Sequence, residues 1–137
     1  MKRGTILNQD VNTAIASIGH LDSLGIVDAG YPCPLGVMRI DLALRQGMPT
    51  FMDVLNTVLG DFIVESFTVA QETIDTSPER AAEIREALPG CPEEVVPHAE
   101  FKQRMLQAKA VIRTGEFTPY SNVILVSGVD LPKWFPE

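Results

Sequence analysis

Apolar positions in this chain follow two periods in alternation. Behind Asn8 and Asp10 as capping candidates, Val11, Ala14, Ile15 and Ile18 recur at i, i+3, i+4 and i+7. That spacing predicts a short amphipathic helix stopped by Gly19. Leu24 to Val27 is a compact apolar run bounded by Asp28-Ala29-Gly30-Tyr31-Pro32, and predicts a buried strand opening into a loop. Val37 to Leu44 predicts a second strand whose character fades toward Gln46-Gly47. Thr50 caps a helix carrying Phe51, Val54, Leu55 and Val58 on one face, with Gly60 as its end. Phe62 to Ala70 is rich in β-branched and aromatic residues and suits a strand, although Glu65 puts a charge on a side that should be partly buried.

Ser77-Pro78 supplies an N-cap and a first-turn proline ahead of Ala81, Ile84 and Leu88, and Pro89-Gly90 closes that helix. Val95-Val96 predicts a short strand, Glu100 to Lys109 a helix, Ala110 to Arg113 a strand, and Val123 to Ser127 the last strand. Strands and helices alternate throughout, with no internal repeat or linker. The expectation is an α/β fold: a single-domain (residues 1–137), three-layer α/β/α sandwich with a largely parallel sheet. The tail Pro132-Lys133-Trp134-Phe135-Pro136 reads as non-helical. Its two aromatics at a chain end hint at self-association.

Composition narrows the class. With 45% hydrophobic and 21% charged residues over 137 positions, the chain reads as a soluble globular protein. Folding at this length buries about 68% of the unfolded surface, enough for a core without disulfides or a structural metal. Cys33 and Cys91 are the only cysteines, which fits a reducing compartment. A formal charge of −7, with no basic cluster beyond Lys2-Arg3, argues against nucleic acid and anionic membrane as partners. There is no transmembrane run, and Met1-Lys2-Arg3 is not followed by a signal-peptide core, so the expected location is cytoplasmic and the chain unprocessed.

Both histidines fall at element boundaries. His20 follows Gly19, with Asp22 two residues on. It either caps the last helical carbonyls or acts as a general acid or base oriented by a nearby carboxylate. Asp28 ends an apolar strand, where open α/β sheets bind ligands; the competing reading is an Asx turn into Gly30. His98 precedes Lys102 by one helical turn, so both could face one pocket. Tyr120-Ser121-Asn122 offers a phenol, a hydroxyl and an amide in three residues, groups that grip sugar hydroxyls or else serve an ordinary turn. A metal held by His20, Asp22, Asp28 and His98 is disfavoured, because the spacing matches no ligand motif. Gly-x-Gly-x-x-Gly, Gly-Lys-Ser/Thr and Gly-x-Ser-x-Gly are all absent. Cys33 has no cation beside it in sequence to activate it.

Taken in order, Lys2-Arg3-Gly4-Thr5-Ile6-Leu7-Asn8, Gly19-His20-Leu21-Asp22, Asp28-Ala29-Gly30-Tyr31-Pro32, Arg39-Ile40-Asp41-Leu42-Ala43 and Gly47-Met48-Pro49-Thr50-Phe51 resemble the D-ribose pyranase family, the RbsD/FucU sugar-binding group. The resemblance continues through His98 to Lys102, Ala110 to Glu116 and Pro119 to Leu125. It is weakest over Asp75 to Val95 and after Val129. It implies a cofactor-free, metal-free isomerase that interconverts the pyranose and furanose forms of free D-ribose. Its sister branch, the L-fucose mutarotases, implies the alternative of mutarotase activity; a non-catalytic sugar binder is a third possibility.

By the same resemblance His20 is the acid, and Asp28, His98 and Tyr120-Ser121-Asn122 contact the sugar, with Lys102 a further contact. The fucose branch resembles Asp-Ala-His-Phe-Pro where this chain has Asp28-Ala29-Gly30-Tyr31-Pro32, and His98 also leans toward the ribose branch. Tyr31-Pro32-Cys33-Pro34-Leu35 departs from the commoner Leu-Pro-Ile-Pro. The resemblance further implies a homodecamer of two pentameric rings with sites at subunit boundaries.

Overall fold

The structure, a computed structural model, describes residues 1–137. Twelve elements follow one another: α1 (Gln9–Ser17), β1 (Ser23–Val27), β2 (Met38–Asp41), α2 (Phe51–Leu59), β3 (Val64–Ala70), α3 (Gln71–Thr76), α4 (Pro78–Ala87), β4 (Glu93–Val96), α5 (His98–Met105), β5 (Ala110–Arg113), β6 (Val123–Ser127) and α6 (Leu131–Trp134). The strands form one sheet in the order β2-β5-β1-β6-β3-β4. β2, β5 and β1 pair in parallel, as do β3 and β4, while β6 is antiparallel to both β1 and β3. Five strands therefore share one direction and β6 alone is reversed.

Period-2 alternation sorts the strand residues between two cores. Leu24, Ile26, Phe67, Val69, Ala110, Ile112, Val123 and Leu125 face the layer containing α1, α2 and α4, where Val11, Phe51, Leu55, Val58 and Ile84 cover them. Val27, Ala70, Val96, Val111 and Ile124 face Phe101 and Met105 of α5. Gly25 makes room for that second layer: a Cβ there would run into the Met105 thioether. The predicted three layers and largely parallel sheet are thus present.

Capping follows the sequence at two of three helices. Val11 N–H donates to Asn8 Oδ1 at 2.9 Å, and Asp53 N–H to Thr50 Oγ1 at 3.1 Å. Ser77 precedes Pro78 as expected, but its hydroxyl donates to the Pro119 carbonyl at 2.6 Å rather than capping α4. Three elements differ from the pattern-based reading. α3 continues directly from β3, where no cap or periodic stripe announces a helix. α5 begins at His98, because Pro97 accepts the Phe101 N–H at 2.9 Å and opens the helix two residues earlier than Glu100. The tail is helical for one turn: Pro132 occupies the first turn, where no intrahelical N–H is needed, and Trp134 N–H donates to the Asp130 carbonyl at 3.0 Å. No helix is long and apolar enough to cross a membrane.

Candidate functional site

Reversing β6 brings its start beside the ends of the parallel strands. Ile26 of β1 stands opposite Val123, so Asp28 and Asn122 meet just beyond the sheet, and the Asp28 N–H donates to Asn122 Oδ1 at 2.9 Å. β4 also ends at this edge, and the next turn is His98 at the head of α5. The His98 backbone N–H is held by both oxygens of Glu72, at 3.0 and 3.2 Å. Its ring sits in an aromatic enclosure, edge-on to Tyr120 at 5.1 Å, edge-on to Tyr31 at 6.1 Å and stacked with Phe101 at 6.1 Å. Tyr31, itself buried, also meets Phe101 edge-on at 6.1 Å.

The segment before β6 is clamped from α3 and the start of α4. Thr73 Oγ1 donates to the Tyr120 carbonyl at 2.8 Å, and Ser77 Oγ to that of Pro119. Tyr120 is forced to a left-handed φ of 56°, a conformation a bulky residue holds only when its surroundings impose it. The turn aims the phenol across His98 while Ser121 and Asn122 are buried. Ser121 Oγ and His98 Nδ1 are buried and meet no partner within the chain. Buried polar atoms without partners are costly, so these two mark the least satisfied part of the cluster.

Charges in the cluster are tuned against one another. Burial pushes the Asp28 carboxyl above the usual range; the backbone N–H groups of Gly30, Ser121 and Tyr31, and the charge of His98, oppose it. Burial and then the nearby Lys102 ammonium lower the His98 imidazole below 6.5, with Glu72 and Asp28 pulling the other way. The ring is therefore neutral at neutral pH, able to accept or donate a hydrogen bond. Lys102 lies one turn along α5, on the His98 side as its spacing suggests, and is exposed. Beside Asp28 a hollow of about 370 Å³ is bordered by Gly30, Arg113, Glu116 and Phe117. Cys33 is part-buried, and burial raises its thiol above 9.0 despite Arg39 and Arg113, so it is held as an unreactive thiol.

His20 lies elsewhere in the chain. It precedes β1 whereas Asp28 follows it, and a five-residue strand separates the two by about 15 Å. His20 does not close α1, whose last amide bond runs from Ile18 N–H to the Ile15 carbonyl. Nor does Asp22 orient it: that carboxylate accepts the Gly19 N–H at 2.9 Å and lies 3.9 Å from Lys109. The partner is Glu65, with His20 Nε2 to Glu65 Oε1 at 2.8 Å. Only its anomalous charge within an apolar strand marked Glu65 in the sequence. Trp134 borders the same hollow, of about 310 Å³, as His20. The four residues weighed as a metal set are thus divided between the two ends of β1.

Strand order, one reversed strand and polar groups gathered where the parallel strands end put the chain among small α/β proteins that hold a polar ligand outside the strand termini. Residues 1–130 match the RbsD / FucU transport protein family, and the chain belongs to that family. It is 47% identical to the D-ribose pyranase of Geobacillus kaustophilus over 94% of this chain and 95% of the relative. It is 48% identical to that of Symbiobacterium thermophilum over 94% and 98%. The structure of Bacillus subtilis RbsD complexed with D-ribose matches with a TM-score of 0.91 at 42% identity, covering 94% of this chain and 98% of the other. The fucose mutarotase in complex with L-fucose from Streptococcus pneumoniae matches with a TM-score of 0.74 at 23% identity, over 90% and 94%, a likeness of fold.

Proposed function

We propose that this chain is a D-ribose pyranase, an isomerase interconverting the pyranose and furanose forms of the free sugar. The observation that carries the reading is the cluster of Asp28, His98, Tyr120, Ser121 and Asn122 gathered at one end of the sheet, in a fold that matches the ribose-bound relative with a TM-score of 0.91. Ring opening breaks the C1–O5 bond, places a proton on O5 and removes the anomeric hydroxyl proton as C1=O1 forms. Closure through O4 moves one proton from O4 to O1. The sugar is left with the same atoms and oxidation state, so proton transfer and positioning are the whole task.

In this reading Asp28 accepts a sugar hydroxyl, neutral His98 and Tyr120 bond others, Ser121 and Asn122 complete the grip, and exposed Lys102 contacts the outer hydroxyls. His20 supplies the acid. Because His20 and Asp28 stand at opposite ends of β1, His20 serves a neighbouring copy's sugar, which makes the working unit a homo-oligomer; the decamer of two pentameric rings is the assembly proposed. Exposed Leu35, Leu44 and Phe117 near the Asp28 end, and Trp134 and Phe135 near His20, support burial between copies. The proposed compartment is the cytoplasm.

Saturation-transfer NMR on equilibrated ribose tests the reading. Added protein should create exchange between pyranose and furanose signals. Exchange confined to the α and β anomers of one ring form would favour a mutarotase, and broadening without exchange a binder.

A further inference from the structure

We propose that Glu65 is a positioning residue for His20, holding its imidazole through Nε2 so that Nδ1 is the atom that exchanges a proton with the sugar; this rests on His20 being the acid. Two departures from regular backbone converge on the pair. β3 and β6 pair Val64 with Ser127 and then Ser66 with Val126, so Glu65 is the extra residue of a bulge. A bulge frees one side chain from the ladder and re-aims it, and here the freed side chain is the carboxylate that meets His20. On the other side, Leu21 takes a left-handed φ of 71°, and its N–H donates to the Ser127 carbonyl at 2.9 Å. That strained residue fixes the turn presenting His20 to the same end of β6.

The backbone around Glu65 has little freedom. Gly128 N–H donates to the Ile63 carbonyl at 2.8 Å, and a Cβ on Gly128 would lie 3.2 Å from the Glu65 Cβ. With Nε2 committed to the carboxylate, a neutral ring carries its proton there and offers its lone pair at Nδ1. When the ring is an imidazolium, the proton free to leave is the one on Nδ1. Both side chains are 47% exposed, and exposed ion pairs contribute little to stability. An arrangement built with a bulge and a left-handed leucine therefore serves orientation more than folding.

The test combines Glu65→Ala and Glu65→Gln, each in the wild-type and His20→Ala backgrounds, read by ribose exchange and by long-range 1H–15N correlation of the His20 ring. Glu65→Ala should slow exchange roughly 10- to 100-fold, the range for lost orienting partners of ligating histidines, with little change in ribose affinity. Its His20 ring should become a mixture of tautomers, whereas the wild type and Glu65→Gln, which keeps an acceptor oxygen, should hold the Nε2–H form. In the His20→Ala background Glu65→Ala should have no further effect. An unmoved tautomer with exchange within twofold of wild type overturns the proposal, as does an equal loss in both backgrounds. If the wild type exchanges no ribose ring forms, the pyranase reading fails instead, and the tautomer data alone decide whether Glu65 positions the ring.

Discussion

Replacing His20 by alanine should separate catalysis from stability by a wide margin. The imidazole is about half exposed, and its one partner is an equally exposed carboxylate. Exposed pairs of this kind are worth about 0.2–1 kcal/mol, so the variant should melt within roughly 2–6 °C of the wild type. Its chemical role is on another scale. General acid–base assistance of about 10²- to 10⁴-fold corresponds to roughly 2.7–5.4 kcal/mol of barrier. Thermal denaturation gives the first quantity and NMR saturation transfer at saturating ribose the second. Exchange within about threefold of the wild type would remove His20 as the acid. A melting temperature lowered by well over about 10 °C, with exchange lost in parallel, would show His20 to be structural.

Lys102→Met should raise the His98 titration midpoint toward 6.5, because a like charge has been removed, and Asp28→Asn should lower it; NMR titration of the ring reads both. Since folding favours neutral His98, its stabilising contribution is complete above 6.5 and is lost as pH falls through the lower folded value. Lys102→Met should shrink that acid-side loss in urea denaturation, and an unchanged slope would refute the linkage. Gly115→Ala would put a Cβ 2.5 Å from the Met48 carbonyl oxygen and 2.6 Å from that of Arg45, so it should destabilise by roughly 1–3 kcal/mol or more, and a wild-type melting curve would contradict the packing. Mixing His20→Ala with Asp28→Asn subunits should restore exchange if each site draws on two copies. Light scattering near the 15.0 kDa of one chain would refute assembly, and deletion of Leu131 to Glu137 should loosen it.

Much of the layered fold was legible because it depends on local period. Val11, Ala14, Phe51, Val54, Leu55, Val58 and Ile84 lie at helical spacing and all are buried. The strand cores around Ile26, Val69, Ile112 and Ile124 were equally plain. Illegible elements lacked local signals: α3 has no side-chain cap and little apolar stripe, and α6 places proline where helices admit it. At the strand-end cluster, Asp28 and Asn122 are joined across 94 positions of sequence by a single hydrogen bond. Residue type and element boundaries pointed to both, but only β6 running backwards brings them together. The His20 partner escaped for the same reason. Asp22 was the near carboxylate in sequence, whereas a bulge 45 residues away delivers the carboxylate near in space.

The reversed strand also constrains when this protein becomes whole. β6 is the last strand synthesised, yet it lies between β1 and β3 and is the only link between the β2-β5-β1 and β3-β4 parts of the sheet. A nascent chain ending before Val123 holds two sheet fragments with unpaired inner edges, the kind of surface that recruits other chains. Completion must therefore await synthesis of Val123 to Ser127. Joining them depends on contacts spanning about a hundred positions, which slows the closing step. Truncations that reach Val123 to Ser127 should consequently yield aggregated protein, whereas loss of residues beyond 130 leaves every strand intact.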